Sequence, residues 1–235
     1  MFISICMVGT IRPSVHRVYT NILQTIQSCQ EYHNNQHTFE YIVTTYACDD
    51  AESLRRLLHN TSVRFHTVDK VATPAHVHIS RVNTHRLFYS MEASVLYAQG
   101  DAVFRTRLDC ALEKVVFPRE AIDTNTYYVA RDHDGITDNV GFASKYATAL
   151  VWRVTHAHMA GRDNEAILEN AVRSVGLSIC TENSPDWRLH MYQSNETHHD
   201  GIPQWSRKNR IFESLSGKLI KHNESGLGQL QFGKS

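Results

Sequence analysis

The sequence is poor in cysteine and shows no pairing pattern for the cysteines that it has. Its 235 residues include five cysteines, which are widely spaced and form no Cys-x-x-Cys motif. An odd number of scattered cysteines argues against a disulfide framework, and the missing motif excludes a cysteine-rich zinc module. We therefore expect reduced thiols, as in cytosolic proteins, at Cys6, Cys29, Cys48, Cys110 and Cys180.

A long apolar run is also missing. No stretch approaches the ~20 apolar residues that a membrane-spanning helix requires, so we expect no transmembrane segment. The first residues, MFISIC, contain no Lys or Arg and match the start of a strand, so we expect no cleaved signal peptide. Together with reduced thiols, these absences predict a cytoplasmic protein.

Neither sign of charge is in excess, because 24 Lys and Arg balance 24 Asp and Glu. A protein that binds a polyanion over its whole surface relies on excess Lys and Arg, so we expect no nucleic-acid partner. The balance is uneven along the chain, since residues 206–235 hold six basic and two acidic residues. We predict one domain over residues 1–204, followed by a basic, polar tail or docking segment over residues 205–235. The segment would dock on an acidic glycan, a membrane surface or a neighbouring domain, or only increase solubility.

Predicted strands and helices alternate through the first half of a chain of globular composition, with 42% hydrophobic and 20% charged residues. The strands are predicted at residues 2–8, 39–47, 62–68, 102–108, 127–130 and 177–180. The helices are predicted at residues 15–29, 51–58, 79–98, 146–159 and 165–175. This alternation is typical of a Rossmann-like α/β fold, with a mainly parallel central sheet flanked by helices in a single domain. Such sheets bind ligands at the carboxyl ends of their strands.

Arg105, Arg107 and Asp109 form the strongest candidate site. The two-residue period of a strand places all three side chains on one face of the fourth predicted strand. Burying these charges costs desolvation energy unless a ligand needs them. A nucleoside diphosphate with Mg²⁺ or Mn²⁺ would need them, since a carboxylate holds the cation and arginines bind phosphate or sugar oxygens. The alternative is an internal salt bridge at the end of a strand.

The acidic segment at residues 131–139 is the second candidate. Asp132, Asp134 and Asp138 would supply a general base, a partner for a metal ligand or acceptors for sugar hydroxyl groups. The alternative is a solvated loop built from Asx turns, which Asp, Asn and Gly commonly form.

Two further groups follow the first two predicted strands. Gly9, Thr10 and Arg12 come directly after the first, where a glycine lets the backbone approach a ligand, although no Walker or G-x-G-x-x-G motif is present. Asp49 and Asp50 end the second, where they would bind a ribose or a base. Capping of the next helix explains these two aspartates equally well.

Histidine is abundant, with 15 residues, but none has a carboxylate or cysteine partner at zinc-site spacing. We expect most of them to be surface or hydrogen-bonded residues. No motif for covalent catalysis by Ser or Cys is present, and the adjacent Asp109 disfavours the thiolate of Cys110.

The order of several short motifs resembles that of small GT-A glycosyltransferases. These are the WavE-type lipopolysaccharide-synthesis proteins and the glycosyltransferase domains of chlorella viruses that act on capsid glycans. The similar segments are residues 79–86, 90–93, 104–109, 137–144 and 165–179. In these relatives a helix with Asn and Arg precedes a strand that ends in an R-x-D element in place of the usual D-x-D.

The resemblance implies a GT-A-like fold and a role for several residues. Asp109 would bind Mn²⁺ or Mg²⁺ on the donor diphosphate, and Arg107 would contact the donor sugar or phosphate. Arg81 and Asn83 would face the nucleotide pocket. Asp138, with Asp134 second, would be the acceptor-side base. Because this chain has one carboxylate where D-x-D has two, an arginine would share the neutralising role.

The function implied is transfer of a hexose or deoxyhexose from a nucleoside-diphosphate sugar, UDP-sugar favoured, to a glycan or glycoprotein acceptor. The reaction would be metal-assisted and inverting, in the cytoplasm, or in the host cytoplasm if the protein is viral. The alternatives are a non-catalytic nucleotide- or sugar-binding module, a metal-dependent nucleotidyltransferase and a structural protein that binds a partner.

Overall fold

The part of the chain that the computed structural model describes forms two β-sheets, five α-helices and a short 3-10 helix (His156–His158). The structure describes residues 1–12, 14–31, 36–69, 82–119, 122–132, 135–158, 164–182, 184–191 and 210–223. The helices are α1 (Val15–Glu31), α2 (Asp49–Leu58), α3 (Val82–Tyr97), α4 (Lys145–Thr155) and α5 (Asn164–Ser174). The strands are β1 (Phe2–Val8), β2 (Thr38–Tyr46), β3 (Val63–Val68), β4 (Ala102–Arg107), β5 (Cys110–Val116), β6 (Thr126–Tyr128), β7 (Arg131–Asp132), β8 (Gly135–Ile136), β9 (Gly141–Ser144), β10 (Ser178–Cys180), β11 (Asp186–Met191), β12 (Arg210–Leu215) and β13 (Lys218–Asn223).

The central sheet has seven strands in the order β10-β6-β9-β4-β1-β2-β3. β1 pairs in parallel with β2 and β4, and β2 pairs in parallel with β3. β9 runs antiparallel to its neighbours β4 and β6. The predicted mainly parallel sheet flanked by helices is therefore confirmed, with one reversed strand that the alternation of elements did not indicate.

Each face of the central sheet carries its own apolar core. On one face, Ile3, Ile5 and Met7 of β1 pack with Val18 and Ile22 of α1 in a cluster that extends to the second sheet. On the other face, the cluster contains α3, α4 and α5 residues, namely Phe88, Met91, Val95, Ala147, Val151, Trp152, Ile167, Leu168, Ala171 and Val172. Alternate side chains of each central strand are thus buried on opposite sides, as the two-residue period of a strand requires.

The register of the central strands brings polar residues to one edge of the sheet. Val8 of β1 lies opposite Thr44 of β2 and Arg107 of β4. Two residues earlier, Cys6 lies opposite Ile42 and Arg105. Since Cys6, Val8 and Ile42 belong to the α3 side of the sheet, Arg105 and Arg107 lie on that side too. The carboxyl end of β4 therefore presents two arginines on the side of the sheet that α3, α4 and α5 cover.

The second sheet was not predicted from the sequence. It has six strands in the order β5-β11-β12-β13-β7-β8, mostly antiparallel. Its last hairpin, β12–β13, lies in the segment that the sequence separates as a tail or docking segment, so residues 210–223 of that segment are folded into a sheet. Buried Phe212, Ser214 and Leu219 explain why, because their alternation places one side of the hairpin on the core.

Residues 205–209 and 224–235 lie outside the described residues, so a docking role for them stays a prediction. None of the helices in the described ranges combines the length and the hydropathy of a membrane-spanning segment.

The carboxylate of Glu40 joins β1, β2 and the turn before β4. It accepts hydrogen bonds from the Ser4 hydroxyl, from the backbone amides of Gln99 and Gly100, and from Arg64 Nη1 at 2.8 Å. Burial alone would raise the pKa of Glu40, but these hydrogen bonds outweigh it and hold the pKa below its usual value. The charged carboxylate therefore stabilises the amino end of the central sheet.

We predict that Glu40→Gln lowers the free energy of unfolding at pH 7 by roughly 1.5–3 kcal/mol, since the amide cannot replace an ionised acceptor. Because the folded-state pKa is lowered, this stabilisation is present above the unfolded-state pKa and is lost as the pH falls through the folded-state pKa. Urea denaturation at pH 7 and at acidic pH measures both effects. The control Glu52→Gln removes exposed ion pairs of α2 and should cost about 0–1 kcal/mol. Equal effects of the two substitutions would contradict the role of Glu40.

Gly217 in the β12–β13 turn offers a second test of the fold. Its φ is +75°, and a Cβ atom there would lie 1.8 Å from the Thr181 carbonyl oxygen. Gly176 has nearly the same φ, +76°, with open space around it. We expect Gly176→Ala to cost roughly 1 kcal/mol from backbone strain. Gly217→Ala should cost roughly 1–3 kcal/mol more, because the hairpin must shift. Chemical denaturation of both variants measures the difference, and equal costs would show that the hairpin does not pack on Thr181.

Candidate functional site

The ion pair between Arg107 and Asp109 lies at the carboxyl end of β4. Arg107 Nε donates to Asp109 Oδ1 at 2.8 Å, and Nη2 donates to Oδ2 at 2.6 Å. The side chains are 17% and 23% exposed, so solvent reaches both. Burial alone would lower the pKa of Arg107, but the carboxylate of Asp109 outweighs it and raises that pKa. The pair is thus a bidentate, charge-assisted salt bridge at the edge of the sheet.

Backbone hydrogen bonds hold the turn that carries Asp109 in place. The Leu108 amide donates to the Val8 carbonyl at 3.1 Å, which ties the turn to the end of β1. The Leu108 carbonyl accepts from Asn21 Nδ2 of α1 at 3.1 Å. Ser28, two helical turns further along α1, donates to the Leu112 carbonyl at 2.6 Å. The position of the turn therefore does not depend on the ion pair itself.

Arg105 is a buried cation directly behind this pair. Its side chain is almost fully buried, and its guanidinium carbon lies 5.2 Å from the centre of the Trp152 ring. Nη1 donates to the Asn139 carbonyl at 3.1 Å, whereas Nε and Nη2 find no acceptor among the described residues. Burial lowers the pKa of Arg105 to about 10. The fold therefore buries a guanidinium that has one hydrogen-bond acceptor among the described residues.

The third part of the site is the loop from Thr137 to Asn139, which lies between β8 and β9. Asp138 is buried, and its Oδ2 accepts from Asn164 Nδ2, at the start of α5, at 2.9 Å. Asn164 Oδ1 in turn accepts from the hydroxyl of Thr84, in the first turn of α3, at 3.1 Å. The carboxylate of Asp138 is thus held between the amino ends of two helices, whose dipoles favour negative charge.

Both arginines meet this loop at Asn139. Arg105 binds the Asn139 carbonyl, and Arg107 Nη1 lies 3.5 Å from Asn139 Oδ1. The negative charge of Asp138 acts to raise the pKa of Arg105 and of Arg107. Two cations and two carboxylates, Asp109 and Asp138, therefore form one electrostatic unit, which we call the arginine cluster: Arg105, Arg107, Asp109, Asp138 and Asn139.

Other predicted site residues lie at the same edge of the sheet. Gly9 follows β1 with a φ of +141°, and its amide donates to the Thr44 carbonyl at 3.3 Å. Thr10 is exposed and Arg12 half-buried. Asp49 begins α2 after β2, which lies two strands from β4. Thr44 of β2 lies opposite Val8, and Val8 lies opposite Arg107, so Asp49 follows a strand that is two strands away from Arg107 in the sheet.

Four predicted site residues cannot be compared fully with the structure. Arg81 and Asp134 lie outside the described residues, and so do the side chains of Asn83 and Asp49, whose backbones belong to α3 and α2. Their roles stay predictions.

The described residues do not fit a divalent cation. Mg²⁺ and Mn²⁺ take several oxygen ligands, commonly from more than one carboxylate. Within the described ranges no group of three or more His, Cys, Asp or Glu side chains lies together. Asp109, the predicted metal ligand, already binds Arg107 through both oxygens. The positive charge that this edge offers an anion therefore comes from arginine.

Four contact residues of the site were missed from the sequence. Asn164 and Thr84 lie far from Asp138 along the chain, and Trp152 has the apolar spacing of an ordinary buried helix face. Asn139 alone had a local signal, because it follows Asp138 directly in the acidic segment. The sequence held no pattern that would relate Asn164 to Asp138, since their contact depends on how α5 packs.

A separate open cavity of about 580 Å³ lies at the opposite end of β4, and its lining includes Gly100, Asp101, Ser144 and Lys145. Gly100 and Asp101 precede β4, Ser144 ends β9 and Lys145 begins α4, so the cavity is not part of the arginine cluster.

No protein-family model matches the sequence, and no curated protein matches it. Solved structures with a similar chain path include the apo form of the glycosyltransferase GlyE of Streptococcus pneumoniae, at 10% identity and a TM-score of 0.46, over 75% of this chain and 44% of that one. An active-site mutant of LgtC has 11% identity and a TM-score of 0.47, over 77% and 73%. The galactosyltransferase LgtC with donor and acceptor sugar analogues has 11% identity and a TM-score of 0.46, over 77% and 74%.

This chain thus spans less than half of the GlyE chain. Identities of 10–11% with TM-scores of 0.46–0.47 establish neither an activity nor a site residue for this chain.

We predict that Arg105→Met leaves the free energy of unfolding unchanged or raises it. The lowered pKa means that the charged form of Arg105 is disfavoured in the folded protein by roughly 3 kcal/mol at neutral pH. Methionine removes this cost, and it leaves the Asn139 carbonyl without one donor, at about 1–3 kcal/mol. Urea denaturation measures the balance. Arg64→Met, which takes a cation from Glu40, should instead destabilise the fold. A loss of about 3–5 kcal/mol for Arg105→Met, as in a broken structural ion pair, would contradict the prediction.

Proposed function

We propose that the protein is a glycosyltransferase that moves a hexosyl or deoxyhexosyl group from a nucleoside-diphosphate sugar to a glycan or glycoprotein acceptor. The observation that carries the proposal is the arginine cluster, which puts two cations beside a buried carboxylate at the carboxyl edge of a mainly parallel sheet. Ligands of such sheets bind at this edge. The resemblance of residues 79–86 and 104–109 to small GT-A glycosyltransferases points to the same chemistry.

The donor diphosphate would bind at the exposed side of Arg107. An arginine fork matches the oxygens of a phosphate as well as those of a carboxylate. The amino end of α3 adds a favourable dipole, and Gly9 leaves room for a ligand after β1. A UDP-sugar is favoured by the resemblance.

Asp138 would act as the general base toward the acceptor. Its carboxylate takes the proton of the acceptor hydroxyl while that oxygen forms a bond to the anomeric carbon. The bond from this carbon to the diphosphate breaks at the same time, and the arginines stabilise the charge that the diphosphate gains. The hydrogen bond from Asn164 fixes the orientation of the base.

Inversion of the anomeric carbon follows from the same arrangement. Retention by double displacement needs a second carboxylate that is free to attack the sugar. The other carboxylate of the arginine cluster, Asp109, lies beside Arg107, on the side proposed for the leaving diphosphate, whereas a nucleophile must attack the anomeric carbon from the opposite side. Single displacement is therefore the mechanism that the described residues support.

A non-catalytic module that binds a nucleotide or a sugar is the second candidate. The burial of Asp138, with 5% exposure, favours it, because a general base must reach its substrate. Binding without turnover would identify this alternative.

We predict that Asp138→Asn lowers kcat by about 10²–10⁴, since an amide cannot accept the proton. The KM for the donor should change little, because Asp138 faces the acceptor. The assay follows release of the nucleoside diphosphate from UDP-, GDP- and dTDP-sugars in the presence of simple glycoside acceptors.

Asp101→Asn is the matched control. It removes the same charge at the opposite end of β4, where the side chain is exposed, and should leave kcat unchanged. Donor binding without release of nucleoside diphosphate would indicate the binding module. Equal kcat values for Asp138→Asn and the wild type would exclude Asp138 as the base.

A further inference from the structure

The ion pair of Arg107 and Asp109 has the geometry of a bound anion. Two parallel N–H···O contacts of 2.8 and 2.6 Å join a planar guanidinium to two oxygens. A phosphate oxygen pair offers the same geometry to the same two donors. Asp109 therefore occupies the donors of Arg107 that a diphosphate would use.

The pair can exchange because each partner is anchored without the other. Arg107 belongs to β4, which pairs with β1 as far as Val8. The turn before Asp109 is held by Val8 and Asn21 through the backbone of Leu108. With 23% exposure, the Asp109 carboxylate already reaches solvent, and turning further gives up its contact with Cys110 Sγ at 3.6 Å but none of the backbone hydrogen bonds of Leu108.

Arg105 keeps the edge attractive to an anion once Asp109 has turned away. It lies two residues before Arg107 on the same face of β4 and is buried against Trp152. Nε and Nη2 of Arg105 make no hydrogen bond within the described residues, so its charge is compensated only in part, by the Asn139 carbonyl and by nearby Asp138. Its positive field adds to that of Arg107 in a region of low dielectric constant.

We propose that the donor diphosphate binds Arg107 directly and displaces Asp109, which serves as the counter-ion of Arg107 and not as a metal ligand. Binding of a nucleoside diphosphate therefore needs no divalent cation. The inference rests on the proposed function, and it assigns the neutralisation of the donor diphosphate to Arg107.

Neutralising Asp109 distinguishes a counter-ion of Arg107 from a metal ligand, because the two roles predict opposite changes in nucleotide affinity. A counter-ion competes with the diphosphate, so Asp109→Asn should tighten nucleotide binding. A metal ligand supports the diphosphate through the cation, so the same substitution should weaken or abolish binding. If Asp109 is the counter-ion of Arg107, loss of Arg107 should weaken nucleotide binding in the absence of metal.

The experiment is calorimetric titration of the full chain with UDP, GDP and dTDP, first in EDTA and then in Mn²⁺. We expect the best of these nucleotides to bind the wild type in EDTA with a Kd within about threefold of that in Mn²⁺. In EDTA, Asp109→Asn should bind about tenfold more tightly. Arg107→Met should bind at least tenfold more weakly, with Arg107→Lys between it and the wild type, because lysine keeps the charge but not the fork.

Glu113→Gln is the matched control, because it makes the same change in net charge at an ion pair with Arg188 in the second sheet. Its Kd should equal that of the wild type, and thermal unfolding of each variant shows whether it is folded. If a variant at Arg107 fails to fold, Asp109→Asn alone still shows whether loss of this carboxylate tightens or weakens nucleotide binding.

Nucleotide binding that requires Mn²⁺ and is lost in Asp109→Asn would overturn the inference and leave the proposed function intact. Metal-free binding that neither Asp109→Asn nor Arg107→Met changes would overturn it as well. Absence of binding to any nucleotide under both conditions would overturn the proposed function together with the inference.

Discussion

The charge of Arg105 inside the fold is the constraint on which the arginine cluster depends. Its guanidinium is buried by β4, α4 and the loop before β9, with Trp152 across its face and one carbonyl acceptor. A cation in such a place costs stability unless negative charge lies nearby. Asp138 supplies that charge to Arg105, while Asp109 pairs with the neighbouring Arg107. Asp138 is held by Asn164 at the start of α5, and the turn before Asp109 is held by the backbone of Leu108, so the segments that carry both carboxylates have fixed positions beside the arginines.

The arrangement is possible because β4 contributes apolar side chains to both cores and also carries the two arginines near its carboxyl end. Phe104 and Leu108 belong to the core that includes α1, while Val103 lies in the core on the side of α3 and α4. The same alternation sends Arg105 and Arg107 toward α3. α1 contributes from behind, since Asn21 and Ser28 hold the chain where it leaves the central sheet for the second one. Packing thus fixes the position of the charges before any ligand binds.

Local periodicity was enough to predict six of the seven central strands, all but β9, and the shared face of Arg105 and Arg107, because these features depend on neighbours in sequence. The second sheet was missed, since strands such as β7 and β8 have two residues and the hairpin at 210–223 lies in a polar segment. The contact of Asn164 with Asp138 depends on long-range packing and had no local signal. The two-residue spacing put Asp109 near Arg107, and the salt bridge at the end of the strand, given as the alternative to a ligand site, is the contact that the structure has.

A crystal structure of the protein with a bound nucleoside diphosphate, grown in EDTA, tests the central claim most directly. The account predicts a phosphate oxygen within about 3 Å of the guanidinium nitrogens of Arg107. It also predicts that the Asp109 carboxylate has turned away from that guanidinium and that Asp138 stays bound to Asn164. A structure in which Asp109 and Arg107 remain paired, with the diphosphate bound elsewhere on the molecule, would contradict it.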